Sequence, residues 1–461
     1  MSEKALAHLE KSWDRYLSQL ADLVAIAGVS ASPPPDPEVT RSAHAVRDLL
    51  IGAGLENVEV IEFPGGHPYV YGDWLHAEGA PTVLLYGHHD VQPPGRPEKW
   101  KTPPFEATLR EDGRLYGRGA VDDKAGVMTH VAACEAWLAG AGRLPLNVKM
   151  IVEGEEEVGS TTLEPFLDKY QRKLAADVIV LTDTANLDAG IPSLTVSLRG
   201  LAGVTIEVQA LDHPVHSGMW GGPVPDPVQA LCKMIASLTD QTGQLVPTLR
   251  EGVRPLAPDE RAALAELPFD ERTFKEQVGM EPGVRLVGDV DMPVWGRVWR
   301  QPSVTVIALE ARPFDGSSNQ IVESARARIS VRTVPDMDPQ GTQDALVRHL
   351  ETSVPWGCTL RIERESLAGW WLTQPRGPAF DAAARAMEKG YGRKVEHIGC
   401  GGSIPFVDPF AKVLGGIPAL LTGVEDPICN AHGENESLHV DDWKRGTRAA
   451  VYLYDELAKS L

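Results

Sequence analysis

Three apolar runs of strand length in this chain each break off at side chains able to bind a metal ion. LLYGHHDVQP (84–93) stops at His88, His89 and Asp90, LNVKMIV (146–152) runs into EGEEEVGS, and ADVIVL (176–181) runs into Thr182 and Asp183. A strand packed in a sheet holds its last residue rigidly, while the residue just beyond it can face a cleft. Imidazole and carboxylate at three such ends therefore predict one polar site where the strands of an open α/β sheet finish.

At 461 residues the chain exceeds the length at which single cores stop growing, so two domains are expected. No apolar run approaches the roughly 18 residues that span a bilayer. The first segment, MSEKALAHLEKSWDRYLSQL, carries charge throughout where a secretory signal would be apolar. These features predict a cytoplasmic protein with no membrane partner. Cys134, Cys232, Cys358, Cys400 and Cys429 are odd in number and lack a C-x-x-C pair, against both a disulfide framework and a thiolate zinc site. A formal charge of -20 repels phosphate backbones, and the absence of a basic stripe excludes nucleic acid as the expected partner.

Helical periodicity over Leu6–Ala27 and Thr40–Leu50 is divided by the proline-rich SASPPPDPE. Strands follow near 58–63, 82–86, 147–152 and 177–181, with a helix over 123–139, the pattern of a largely parallel sheet. After Pro192 the order changes: strand 194–210, helix 226–238, strands 303–310 and 325–334, helix 339–352, strand 359–365. That is the ferredoxin-like β-α-β-β-α-β order. Residues 241–301 look like an insertion within it, with no assignable role. From Trp371 the α/β pattern returns, with a helix at 379–391, a strand at 419–422 and a closing helix at 440–460. The expected fold is a mixed, largely parallel α/β catalytic domain (1–192 and 372–461) interrupted by a ferredoxin-like α+β lid or dimerisation domain (193–371).

Ligand-type residues recur at these ends: His88, Asp122 in GRGAVDDKAG, Glu156 and Glu157, Asp183, and His432 in NAHGENES. Each has a plain alternative. A lone histidine at a strand end is more often structural, Asp122 or Asp123 could only cap the next helix, Glu153–Glu157 could be a solvated face, and Asp183 could start a turn. Their conjunction favours a metal site. Such ligands suit zinc, manganese or cobalt, and a bridging carboxylate can hold two ions about 3.5–4 Å apart.

GHHDVQP, GRGAVDDKAG and EGEEEVGS together resemble the motifs of the co-catalytic metallopeptidases that include cytosolic and carnosine dipeptidases, acetylornithine deacetylase, succinyl-diaminopimelate desuccinylase and glutamate carboxypeptidase. The resemblance runs nearly end to end. It implies two divalent ions, zinc first with manganese or cobalt as alternatives. His88 and Asp183 would bind one ion, Glu157 and His432 the other, and Asp122 would bridge them. Glu156 would be the general base, and Asp90 would accept the second N–H of His88.

His216 in DHPVHSGMWGG matches a family histidine that would stabilise the oxyanion in the partner subunit's site, implying a homodimer through the lid domain. Arg332 resembles the family's carboxylate clamp, with a solvated strand-end charge as the other view. In CGGSIP, Gly401, Gly402 and Ser403 match a loop that grips the same carboxylate, and Asn319 is a further substrate candidate. The remaining histidines are left as surface or structural residues. The implied reaction is hydrolysis of dipeptides or short peptides with a free C-terminal carboxylate, Asp183 favouring the dipeptidase branch. N-acyl-amino-acid deacylation is the alternative. A catalytically silent binding protein on this fold is disfavoured because the base and all five ligand positions are filled.

Overall fold

The computed structural model describes residues 1–402, 410 and 413–461. The first helix, Ser2–Val24, buries Ala5, Leu9, Trp13, Tyr16 and Leu20 at helical spacing. The second, Pro37–Gly52, begins where the Asp36 carboxylate accepts the N–H groups of Glu38 and Val39, with Pro37 in the first turn.

Among the described residues the main sheet has nine strands. Its order is Glu56–Ile61, Tyr69–Trp74, Asn147–Glu153, Thr82–His88, Val178–Thr182, Ala419–Thr422, Ser193–Leu198 and Trp371–Leu372, with Glu396–Cys400 also pairing beside Ser193–Leu198. Thr82–His88 runs parallel to both Asn147–Glu153 and Val178–Thr182, and Ala419–Thr422 runs parallel to the latter. Val178–Thr182 is buried throughout, as expected of a strand covered on both faces. The carboxyl ends of these strands therefore lie side by side.

A second, antiparallel sheet has the order Ser303–Glu310, Ser324–Thr333, Gly200–Gln209, Thr359–Ala368. Helices Pro227–Ala236 and Pro339–Thr352 pack on it: Ala230, Leu231, Met234, Leu346 and Leu350 share a core with Val204, Ile206, Val208, Ile329 and Val331. Chain order and sheet order together are ferredoxin-like.

Several expectations need correction. The single strand expected over 194–210 is two strands, Ser193–Leu198 in the large sheet and Gly200–Gln209 in the small one, with Arg199 alone between them. Alternation of side chains continues across a change of partner strand, so the pattern hides the switch. Gly200 marks it, because a Cβ there would collide with Thr333 Oγ1 and Ala368 O. Asp123 occupies the cap position of helix Lys124–Glu135 but its side chain does not cap it; instead it accepts the backbone N–H of His88. The insertion also has a role. It forms short helices, among them Pro258–Glu266 and Val294–Trp299, and its Leu267 and Trp299 bury with Leu187 and Ile398. Trp299 fills the space a Cβ would take at Gly399. The insertion thereby braces the strand that leads into Gly401 and Gly402. No helix among the described residues is long and apolar enough to cross a membrane.

Candidate active site

His88 ends its strand fully buried. Its backbone N–H donates to Asp123 Oδ2 at 3.1 Å, and its Nδ1 lies 3.1 Å from Asp90 O and 3.4 Å from Asp90 Oδ1. This leaves Nε2 directed at Asp122 Oδ1, 3.1 Å away, and Asp183 Oδ1, 3.7 Å away. The other oxygen of Asp122 lies 3.0 Å from His432 Nε2, which is also 3.0 Å from Glu157 Oε2. Two groups result, His88 with Asp122 and Asp183, and Asp122 with Glu157 and His432, each with ligand atoms within 4.8 Å of one another. Asp122 belongs to both.

Glu156 and Glu157 stand on a single turn, Glu156–Val158, just beyond the strand Asn147–Glu153. Asp90 holds this turn, its Oδ1 and Oδ2 accepting the N–H groups of Glu156 and Glu157 at 3.2 and 3.1 Å. Gln92 fixes the Glu157 side chain, donating from its backbone N to Oε1 at 3.2 Å and from Nε2 to Oε2 at 3.0 Å. Asp183 follows the strand Val178–Thr182. Helix Lys124–Glu135 can approach it closely because residue 126 is glycine: a Cβ there would collide with Thr182 O.

The His432 loop is tied to the Asp122 turn by a buried ion pair. Arg118 Nη1 donates to Glu436 Oε2 at 2.6 Å, and Arg118 Nη2 donates to His432 O at 3.0 Å and Gly433 O at 3.2 Å. Glu436 in turn accepts the N–H groups of Gly119, Val121 and Asp122 at 3.1, 3.1 and 3.3 Å. His432 has φ 62°, a backbone conformation costly for a histidine, and the Arg118 bonds to the adjoining carbonyls sustain it.

The donor set suits divalent cations, since it offers imidazole nitrogen and carboxylate oxygen without thiolate. Charge balance agrees. Burial, with Asp183, Glu157 and Asp122 adding to it, pushes Glu156 well above the carboxylate range; burial and Asp122 push Glu157 up to about 7. Glu425, which faces the same carboxylates, is raised by burial and by Asp122 and Asp183. Asp122 is driven down, despite its burial, by hydrogen bonds from His432 and His88. Five carboxylates thus crowd two imidazoles, a surplus of negative charge that a pair of divalent ions would balance.

The other expected site residues that the structure describes stand on other elements. His216 and Asn319 meet at a small two-stranded antiparallel ladder, where His216 pairs with Gln320 and Ser217 N donates to Asn319 O at 2.9 Å. His216 is exposed, and neither residue hydrogen-bonds to the ligand groups among the described residues. Arg332 sits near the end of the strand Ser324–Thr333. Gly401 and Gly402 follow Glu396–Cys400, and Ser403 lies outside the described residues.

A profile of Peptidase family M20/M25/M40 matches residues 84–456. The chain belongs to this peptidase family. It is 35% identical over 363 residues to a cysteinylglycine-S-conjugate dipeptidase of Corynebacterium striatum, covering 78% of this chain and 77% of the relative. It is 30% identical to the Cys-Gly metallodipeptidase dug1 of Schizosaccharomyces pombe, over 99% of this chain and 98% of the relative. Its fold is similar to that of human carnosine dipeptidase 1, with a TM-score of 0.88, 27% identity and 99% of both chains covered.

In this M20 peptidase several residues that shape the site escaped the sequence reading. Gln92 lies inside the quoted GHHDVQP and Arg118 inside GRGAVDDKAG, so their motifs were visible while their contacts were not. Glu436 likewise lies inside the quoted NAHGENES, but its contacts reach distant segments, as its 314-residue separation from Asp122 illustrates, whereas Glu425 lies in none of the quoted motifs.

Proposed function

We propose that this chain hydrolyses the amide bond of dipeptides with a free C-terminal carboxylate, using two divalent ions. The observation that carries this reading is the position of Asp122, whose two oxygens face His88 and His432 in separate ligand groups. His88 and Asp183 would hold one ion, Glu157 and His432 the other, with Asp122 between. Zinc is the proposed metal, with manganese or cobalt as alternatives of the same ligand chemistry. Ions held there supply Lewis acidity and a water acidic enough to attack at neutral pH.

Glu156, adjacent to a ligand but outside both groups, takes the proton of the attacking water and delivers it to the leaving nitrogen. Its raised affinity for protons suits that exchange. Asp90 fixes both the tautomer of His88 and the turn bearing Glu156. Arg332, with the N–H groups of Gly401 and Gly402, holds the substrate carboxylate, and Asn319 lines the same cleft. The partner subunit's His216 donates to the oxyanion, so the working form is a homodimer joined through the lid. We assign residues 193–371 to that lid and 1–192 with 372–461 to the catalytic domain, and place the protein in the cytoplasm, which its free cysteines favour.

The names of the relatives, Cys-Gly and β-Ala-His dipeptidases, support a dipeptide substrate over an N-acyl amino acid. The test is hydrolysis of a dipeptide panel beside a panel of N-acetyl amino acids by metal-replete enzyme. Turnover of dipeptides is expected; turnover of the acetylated compounds alone would overturn the reading.

A further inference from the structure

Arg199 is the single residue between Ser193–Leu198 of the large sheet and Gly200–Gln209 of the small one. Its side chain holds both sides of that crossing. Nε donates to Gly401 O at 3.1 Å, and Nη1 donates to Ser303 Oγ at 3.2 Å. Arg332 lies in register between Ser303 on one neighbouring strand and Leu201 on the other. Ser303, which Arg199 reaches, stands directly opposite Arg332, so the two cations serve the same corner of the small sheet. Burial and the charge of Arg332 accordingly pull Arg199 down to about 10.

Among the described residues Arg199 has no carboxylate partner, for its two hydrogen bonds go to a carbonyl and a hydroxyl. A guanidinium offers five donors in one plane, so most of the fork is left to meet an anion. A half-buried cation beside another cation is unfavourable until an anion answers it. The loop is shaped to accept this group: a Cβ at Gly401 would stand 3.0 Å from Arg199 Nη2, so glycine lets the guanidinium lie against the chain.

We propose that Arg199 is a second cation of the carboxylate-binding site, joining Arg332 to hold the C-terminal carboxylate of the dipeptide from the crossing between the two sheets. The proposal rests on the carboxylate reading given above. Because Arg199 spends one donor on each sheet, its grip on the substrate depends on how the sheets are set against each other.

The test compares metal-replete wild type, Arg199→Met, Arg199→Lys and Arg332→Met on one dipeptide and on its C-terminal amide. Wild type is expected to prefer the acid. Arg199→Met should lower kcat/KM for the acid by about 10- to 100-fold, chiefly through KM, the size expected for a lost hydrogen bond to a charged group, and should leave the amide within about twofold. Arg199→Lys should recover part of the preference. Equal losses on acid and amide, or an unchanged preference, would overturn the proposal by showing a purely structural residue. If Arg199→Met does not fold, as judged by thermal unfolding, Arg199→Lys decides: a reduced preference supports the proposal and an intact one overturns it. Failure of the carboxylate reading itself is recognisable separately, since wild type and Arg332→Met would then treat acid and amide alike.

Discussion

Asp90 accepts the backbone N–H of Glu156 at 3.2 Å. The same carboxylate lies 3.4 Å from His88 Nδ1, so one side chain sets both a candidate ligand and the candidate base. Asp90→Asn keeps the shape but turns one acceptor into a donor facing an N–H. A loss of about 10- to 100-fold in metal affinity or kcat is expected, read by metal titration and steady-state kinetics; an asparagine enzyme within twofold of wild type would refute the positioning role.

Glu156→Ala should remove proton transfer without removing a ligand. The expected fall in kcat is about 10²- to 10⁴-fold, with metal content by elemental analysis unchanged. A variant that loses its metal would show that Glu156 is itself a ligand.

Glu436 and Arg118 are essentially excluded from solvent, with side-chain exposures of 0% and 1%. Glu436→Ala strands the guanidinium and leaves the N–H groups of Gly119, Val121 and Asp122 without their acceptor. A loss of about 3–5 kcal/mol in unfolding free energy is expected from denaturant titration, larger than that of any exposed ion pair such as Arg41 with Glu38.

Gly126→Ala should force the helix Lys124–Glu135 away from Thr182, whose carbonyl blocks a Cβ at this position. Overpacking of this kind costs about 1–3 kcal/mol. Because Asp183 is the next residue, the variant should also bind metal more weakly, and calorimetric titration would detect unaltered binding if the contact were unimportant.

His130 is buried, and burial lowers it from 6.5 to about 4. The unfolded chain takes up this proton near pH 6.5 and the folded one only near pH 4, so the histidine favours the folded state above pH 6.5 and that contribution is lost as the pH falls toward 4. His130→Leu should flatten the acid limb of the stability profile by as much as about 1.4 kcal/mol per pH unit in this window. A slope identical to wild type would contradict the assignment.

The candidate ligands were legible because each breaks an apolar pattern. A strand interior has no use for His88, and a residue such as Asp183 directly after five buried positions declares a cleft. The ferredoxin-like order was legible for a similar reason, since its strands alternate and its helices, such as Pro339–Thr352, keep helical spacing. Arg199 was not. It sits inside an unbroken alternation, and its meaning arises only when the two sheets part. Glu425 lies in no quoted motif, and Glu436, though inside NAHGENES, gave no sign of its role, because burial and long-range partners rather than neighbours in sequence define both. Asp123 misled by type: an aspartate before a helix reads as a cap, whereas here the strand end at His88 claims its carboxylate.

The chain crosses between its two sheets twice, at Arg199 and between Ala368 and Trp371, and the crossings are paired: Leu198 lies opposite Trp371, and Leu201 opposite Ala368. The smaller sheet is therefore joined to the larger one by a doubled ribbon, so the angle between the sheets is set by two strands together and not by either one alone.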